Sequence, residues 1–261
     1  MKWLLRLAVL IAGSMGGAAA LRRWLAMMQA QVRDDALRQA AEERSRFLQR
    51  LDHELKNPLT AIRIGLANLS DTDDPAARQQ IRANMQAQVL RLGHLVADLR
   101  KLADLETGRL ERGAVPIGEM LEEVLLGIQD EGHERRLIFP TQYDSFPDIM
   151  GDRDLLQLAV YNLLDNALKF TQPGDMIALR VTVTDADVVI EVRDTGRGIP
   201  QADLPHVWEE LYRSREVHGI PGSGIGLAMV RAIIERHDGE VNLESTVGQG
   251  TVVTLTLPLD Q

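Results

Sequence analysis

No cysteine occurs among the 261 residues of the chain, which excludes disulfide frameworks, cysteine-ligated zinc and thiol nucleophiles. Aromatic side chains are scarce, with four Phe, three Trp and three Tyr, too few for a platform on which single-stranded nucleic acid could stack. No Gly-Lys-Ser or Gly-Lys-Thr sequence is present, so a P-loop is excluded as well. Positive charge is also in deficit: 29 Lys and Arg stand against 38 Asp and Glu, for a net charge of −9. The deficit is uneven. Residues 1–33 carry Lys2, Arg6, Arg22, Arg23 and Arg33 without an acid, so that segment is +5 and the rest −14. Such a balance suits nucleic acid poorly, and no nucleic-acid partner is expected. What remains is ordinary. Apolar residues make up 45% and charged residues 26%, values of a globular chain of one to two domains rather than of a disordered one.

The basic end is also apolar. Leu7 to Leu21 is free of charge, but fifteen helical residues span only about 22 Å of the ~30 Å hydrocarbon layer. Trp3 to Leu25 would span about 34 Å if Arg6, Arg22 and Arg23 snorkel to the interfaces. Trp3 and Trp24 lie where interfacial aromatics belong. The competing reading is a secretory signal peptide, because Lys2, a short apolar run and Gly-Gly-Ala-Ala-Ala imitate one. The expectation is a transmembrane anchor over 1–24, followed by a polar, alanine-rich linker helix over 25–46.

Beyond the linker, Leu48, Leu51, Leu55, Leu59, Ile62, Leu66 and Leu69 recur at helical spacing, a seam of the kind that packs in bundles. Ser-Asp-Thr-Asp-Asp-Pro (70–75) interrupts it with cap residues and a proline suited to the first turn of a helix. Ile81, Met85, Val89, Leu92, Val96 and Leu99 form a second stripe. The pattern predicts an antiparallel helical hairpin whose one-sided apolar faces pair with a second copy as a dimeric four-helix bundle. His53 stands about 200° from Leu51 and so points away from the seam. It is flanked by Asp52 and Glu54, and Pro58 leaves the Glu54 carbonyl without its usual helical donor. Taken alone, His53 could be an exposed histidine on a kinked charged helix.

The run Phe47-Leu48-Gln49-Arg50-Leu51-Asp52-His53-Glu54-Leu55-Lys56-Asn57-Pro58-Leu59 resembles the phosphoacceptor box of sensor histidine kinases. That resemblance implies that His53 accepts phosphate, for which a neutral imidazole is a competent nucleophile near neutral pH. It also implies that Glu54 accepts or orients the proton on the other ring nitrogen. Asn57, one turn on from His53, would orient the water that dephosphorylates the partner protein.

Thr107-Gly108 and Arg109 to Gly113 read as a linker, and Val115-Pro116 opens a new domain. Helices are predicted over 117–129, 152–170 and 225–237. Strands are predicted near 136–140, 147–150, 176–184, 187–193, 240–246 and 251–257. The last four strands read as two hairpins, giving an antiparallel-rich α+β sandwich. Three glycine clusters punctuate it: Asp194-Thr195-Gly196-Arg197-Gly198-Ile199-Pro200, Gly222-Ser223-Gly224-Ile225-Gly226-Leu227 and Gly248-Gln249-Gly250-Thr251. Glycines at a helix start let backbone N–H groups approach phosphate. Each cluster alone could equally be turn glycine. A Rossmann reading fails because the second cluster follows a long loop rather than a strand.

With Asn162-Leu163-Leu164-Asp165-Asn166-Ala167-Leu168-Lys169-Phe170, these clusters resemble, in order, the boxes of the GHKL ATP-binding fold over residues 116–258. The resemblance implies ATP and Mg²⁺ as cofactors. Asn162 and Asn166 share a helix face, and the Asn166 amide oxygen would be the metal ligand. Lys169 would supply a phosphate countercharge, and Phe170 closes the same box. Asp194 would accept a hydrogen bond from the adenine amine, with Gly196, Gly198, Gly222, Gly224, Gly226, Leu227 and Thr251 completing the nucleotide site. Residues 200–222 would form a mobile lid. Within it, Val207-Trp208-Glu209-Glu210-Leu211-Tyr212-Arg213 resembles the family's F box, with Trp208 and Leu211 in place of its phenylalanines. Arg213 would stabilise the transferring phosphoryl group.

The fold expected is therefore an N-terminal transmembrane helix, an all-α hairpin over 47–107 and a catalytic α+β sandwich of GHKL type over 108–261. Resemblance over residues 45–258 implies a sensor histidine kinase at the inner (plasma) membrane with its catalytic part cytoplasmic. It would phosphorylate His53 within a homodimer and then an aspartate on a response-regulator receiver domain. No input domain separates the anchor from the hairpin, so the stimulus is expected from the membrane or from an associated membrane sensor protein. Two alternatives remain: a GHKL ATPase or serine kinase without histidine transfer, and a dimeric scaffold that only binds nucleotide.

Overall fold

The computed structural model describes residues 15–131, 135–140, 146–214, 217 and 220–259. The chain divides into two compact units, Met1–Asp52 and His53–Gln261. The first unit contributes the leading part of a long helix, α1 (Met15–Asp71). Trp24, Leu25, Met27, Met28, Val32 and Leu37 are exposed along it. The first fourteen residues of the anchor expected over 1–24 lie outside the described residues. Among the described residues, no helix is long and apolar enough to cross a membrane. The linker over 25–46 is helical, as its composition suggests.

The second unit holds the rest of α1 and the helix α2 (Pro75–Thr107). Asp74 caps α2: its carboxylate accepts from the N–H groups of Ala76 (3.1 Å) and Ala77 (3.3 Å), and Pro75 takes the first turn. Two orphan donors of the helix end are thereby satisfied. Pro58 is buried inside α1, which runs through it. The two helices approach closely at Gly65, where a Cβ atom would lie 2.7 Å from Met85 Cγ and 3.5 Å from Ile81 Cγ2. The absent side chain at Gly65 is what admits the Met85 thioether. Leu55, Ile62 and Leu69 are half-buried, whereas Leu59, Leu66, Val89 and Val96 remain exposed.

After α2 come β1 (Gly113–Pro116), α3 (Ile117–Glu131), β2 (Arg136–Ile138), β3 (Asp148–Gly151) and α4 (Arg153–Phe170). Then follow β4 (Met176–Val183), β5 (Asp187–Asp194), α5 (Gly226–Arg236), β6 (Glu240–Thr246) and β7 (Gly250–Pro258). Five strands form one sheet in the order β2-β4-β5-β7-β6, antiparallel except for the β2–β4 pair. The two hairpins read from the sequence are thus β4–β5 and β6–β7. One element escaped that reading: β1 pairs antiparallel with β3, placing Val115 opposite Ile149.

Alternation assigns the faces of the sheet. Ile177, Leu179, Val188, Ile190, Val192, Val253, Leu255 and Leu257 point inward and are buried. Met120, Leu121, Leu125 and Ile128 of α3, Leu156, Val160 and Leu164 of α4, and Met229, Ile233 and Ile234 of α5 supply the buried helical layer. Each such side chain contributes about 1.5–3 kcal/mol on burial.

Polar groups tie the linker to this layer. Arg236, at the end of α5, donates to the Leu105 carbonyl and to the Gly108 carbonyl (2.6 Å). Arg112 donates to the Arg236 carbonyl (2.9 Å) and to Asp238 Oδ2 (2.6 Å). His237 is buried; its Nε2 accepts from the Asp152 N–H (2.9 Å), and Nδ1 lies 2.7 Å from the Ile233 carbonyl. The two partners fix the tautomer, with the proton on Nδ1. Asp152 in turn caps α4 by accepting from the Leu155 N–H (3.2 Å).

Candidate functional site

Almost every candidate residue of the second half lines one cavity of about 880 Å³. Asn162, Asn166, Lys169 and Phe170 enter it from α4, Asp194 from the end of β5 and Thr251 from β7. Gly198, Arg213, Gly222, Gly224, Gly226 and Leu227 complete its loop and α5 walls. Gly196 is not among the lining residues, but its N–H donates to Asp194 Oδ1 (2.8 Å). Of the hairpin candidates, Glu54 lines the cavity, whereas His53 and Asn57 are exposed outside it.

Close backbone approaches hold together the elements that carry the cavity residues. A Cβ at Gly196 would lie 2.3 Å from the Phe170 carbonyl, and one at Gly250 would lie 2.0 Å from the Asp194 carbonyl. Gly250 and Gly198 also adopt φ of +101° and +69°, a left-handed backbone that other residues rarely tolerate. These contacts press the loop after β5 against the end of α4 and the start of β7. Asp194 is buried between them. Burial pushes its carboxyl above the usual carboxylate range, against the opposing N–H groups of Gly196 and Thr251. A buried acceptor of this kind, beside apolar Val192, Met229 and Val253, suits a flat ring carrying an amine donor.

On α4, Asn162 Nδ2 donates to the Leu158 carbonyl (2.8 Å), which leaves Oδ1 facing the start of α5. A Cβ at Gly226 would approach that oxygen to 3.1 Å, so the glycine keeps the two helices close without blocking the amide. Ile225, the residue before α5, makes no side-chain cap. The first N–H groups of α5 are therefore available to an anion, with the helix dipole in their favour. Lys169 lines the cavity with its ammonium already paired to Asp165 Oδ2, one turn away at 2.5 Å.

The loop over 200–222 carries a short 3₁₀ turn, Leu204–His206. Tyr212 O–H donates to Asp203 Oδ1 (2.7 Å), and its ring lies 5.4 Å from that of His206. Leu211, which stands in place of a family phenylalanine, is buried with φ of 58°. Arg213 donates to the carbonyls of Val217 (2.9 Å) and Ile220. Burial, and then the charge of Arg91, lower the pKa of its guanidinium, while Glu54 acts in the opposite direction. Ser223 O–H donates to Asp98 Oδ2 on α2 (2.6 Å).

That last contact leads to the residues that the sequence motifs did not reveal. Arg91, His94, Asp98 and Lys101 of α2 all line the same cavity. Their spacing of three, four and three residues is a polar stripe on one helical face. It was present in the sequence, but it belongs to no contiguous box. Arg91 NH2 donates to Glu54 Oε2 at 2.7 Å across the hairpin.

A mostly antiparallel sheet under three helices, with a glycine-bounded cavity between a buried aspartate and an uncapped helix N-terminus, is an arrangement suited to a nucleotide. Residues 151–261 match the family of histidine kinase-, DNA gyrase B- and HSP90-like ATPases, and residues 43–108 match the His kinase A phospho-acceptor domain. The chain therefore belongs to the two-component sensor histidine kinases. It is 33% identical over 223 residues to the signal transduction histidine-protein kinase/phosphatase MprB of Mycobacterium sp. (strain KMS), covering 82% of this chain and 43% of that protein. It is 30% identical over 232 residues to the sensor histidine kinase YclK of Bacillus subtilis (strain 168), covering 86% of this chain and 49% of that one. The chain thus spans about half the length of the curated relatives it matches. Among solved structures, full-length ShkA in complex with AMPPNP superposes with a TM-score of 0.57 at 25% identity, over 80% of this chain and 44% of that one.

Proposed function

We propose that the protein is an ATP-dependent protein-histidine kinase. The γ-phosphoryl group of ATP passes to His53 within a homodimer and then to an aspartate of a response-regulator receiver domain. A phosphatase activity toward that regulator, with Asn57 orienting the water, belongs to the same proposal; the MprB relative carries both activities in its name. One observation carries the reading: the cavity that holds Asp194, Asn162, Asn166 and the start of α5 also holds Glu54, next in sequence to His53.

Asp194 accepts from the adenine amine, and its burial makes an unpaired mismatch there expensive, so adenine is preferred over a base lacking that donor. The α5 N–H groups and Lys169 receive the phosphates. Arg213 sits on the same cavity wall as the hairpin residues and stabilises charge on the transferring group. Mg²⁺ fits the donor set: Asn166 offers a neutral amide oxygen, and phosphate oxygens and water complete an octahedron. When bound, the ion would neutralise charge on the β- and γ-phosphates. Residues 1–24, basic and apolar, support attachment to the inner membrane with the catalytic part in the cytoplasm.

The test is labelling of the full chain with γ-labelled ATP and Mg²⁺. The label should be acid-labile and alkali-stable, and His53→Gln should abolish it while nucleotide affinity stays within about twofold. Label that persists in the variant would move the acceptor elsewhere.

A further inference from the structure

The ion pair between Arg91 and Glu54 joins two residues 37 positions apart, both of which line the cavity. Both side chains are partly shielded from water, 35% exposed for Arg91 and 17% for Glu54. A charge-assisted hydrogen bond in such a place is stronger and more directional than one on an open surface. Glu54 adjoins His53 in sequence, so its side chain emerges about 100° around the helix from the imidazole. A glutamate left to itself there would spread over several rotamers, most of them directed to solvent. The guanidinium removes that freedom. It comes from the opposite helix of the hairpin, whose packing at Gly65 against Met85 fixes the separation of the two helices.

The geometry points to Arg91 as a positioning residue for phosphotransfer, acting through Glu54; this rests on the reading of His53 as acceptor and Glu54 as proton acceptor. In the step concerned, a ring nitrogen of His53 attacks the γ-phosphorus of ATP. The N–P bond forms as the bond from phosphorus to the bridging oxygen breaks, and that electron pair leaves with ADP. The proton on the other ring nitrogen passes to the Glu54 carboxylate, leaving a neutral phosphoimidazole. Arg91 neither touches the reacting atoms nor takes the proton. It holds the carboxylate that does, which is why the expected defect is in turnover rather than in nucleotide binding. Arg213, from the loop over 200–222, interacts electrostatically with Glu54, and His94, Asp98 and Lys101 line the same cavity.

Arg91→Met in the full chain should lower kcat for autophosphorylation by about tenfold to a hundredfold, within the span that proton transfer contributes, with KM for ATP changed less than about twofold. Arg91→Lys keeps the charge but not the planar fork and should recover part of that loss. Sharper still is the pair of variants. In a Glu54→Gln background, Arg91→Met should have little further effect, because the group through which it acts is already gone. Equal losses in the two backgrounds would overturn the proposal, and so would a rise in KM with kcat intact. A wild-type protein that is not labelled on His53 would instead sink the histidine-kinase reading itself.

Discussion

Gly248 and Gly250 both adopt a left-handed backbone, with φ of +75° and +101°, yet they differ in what a side chain would meet. A Cβ at Gly248 meets nothing within 4 Å, whereas one at Gly250 would lie 2.0 Å from the Asp194 carbonyl. Gly248→Ala should therefore cost only the conformational strain, about 1–2 kcal/mol. Gly250→Ala adds overpacking against backbone and should cost about 3 kcal/mol or more, with weakened ATP binding because Asp194 moves. Thermal denaturation and nucleotide titration of both variants check this, and similar losses would remove the close approach as the cause. At this scale the contiguous boxes were legible because each packs its chemistry into fewer than ten residues. Arg91 was not, because its partner lies 37 residues away and only the hairpin brings them together. Gly65 was equally hidden: nothing in a heptad-like pattern states which position must lack a side chain.

Regular elements were legible where periodicity was strong. The α4, β4, β5 and β6 segments fall within one or two residues of the apolar patterns that foretold them. The exception is β1, four residues bounded by Gly113 and Pro116, whose composition is that of a linker and whose strand character comes only from pairing with β3. Between elements, His237 links the end of α5 to the cap of α4. Burial lowers its pKa, Arg112 and Arg236 act in the same direction, and the Ile233 carbonyl and Asp152 oppose them. The unfolded chain, with an ordinary histidine near 6.5, therefore takes up a proton at a higher pH than the folded one. Stability contributed by the neutral ring is complete above that value and is lost as pH falls from it through the folded pKa. Thermal midpoints of the full chain should decline as the pH falls below about 6.5. His237→Gln, less stable at pH 7.5, should show a shallower decline; an unchanged slope would assign the titration to another group.

At the scale of the whole molecule, the apolar stripes of the hairpin are only half used. Leu66 and Val89 remain 55% and 57% exposed, and Leu59 and Val96 lie one heptad from them on the same faces. A second copy of the hairpin would cover these residues at about 2–3 kcal/mol for each side chain buried. Leu66→Glu should weaken self-association by about a hundredfold or more, read by sedimentation at several concentrations. A variant that dimerises like the wild type would place the contact on another face. The seam was legible in the sequence, but not its division. Ile62 and Leu69 turn toward the partner helix, while Leu59 and Leu66 are left for another chain. That division follows from the helix crossing at Gly65 rather than from hydropathy.

Arg236 and Gly226 mark the two ends of α5. At eleven residues the helix is a strut of about 16 Å, short and stiff. Its far end is lashed to the carbonyls of Leu105 and Gly108, where α2 runs out; its near end presents N–H groups to the cavity. Any rotation of α2 would thus be passed along that strut to the wall of the cavity.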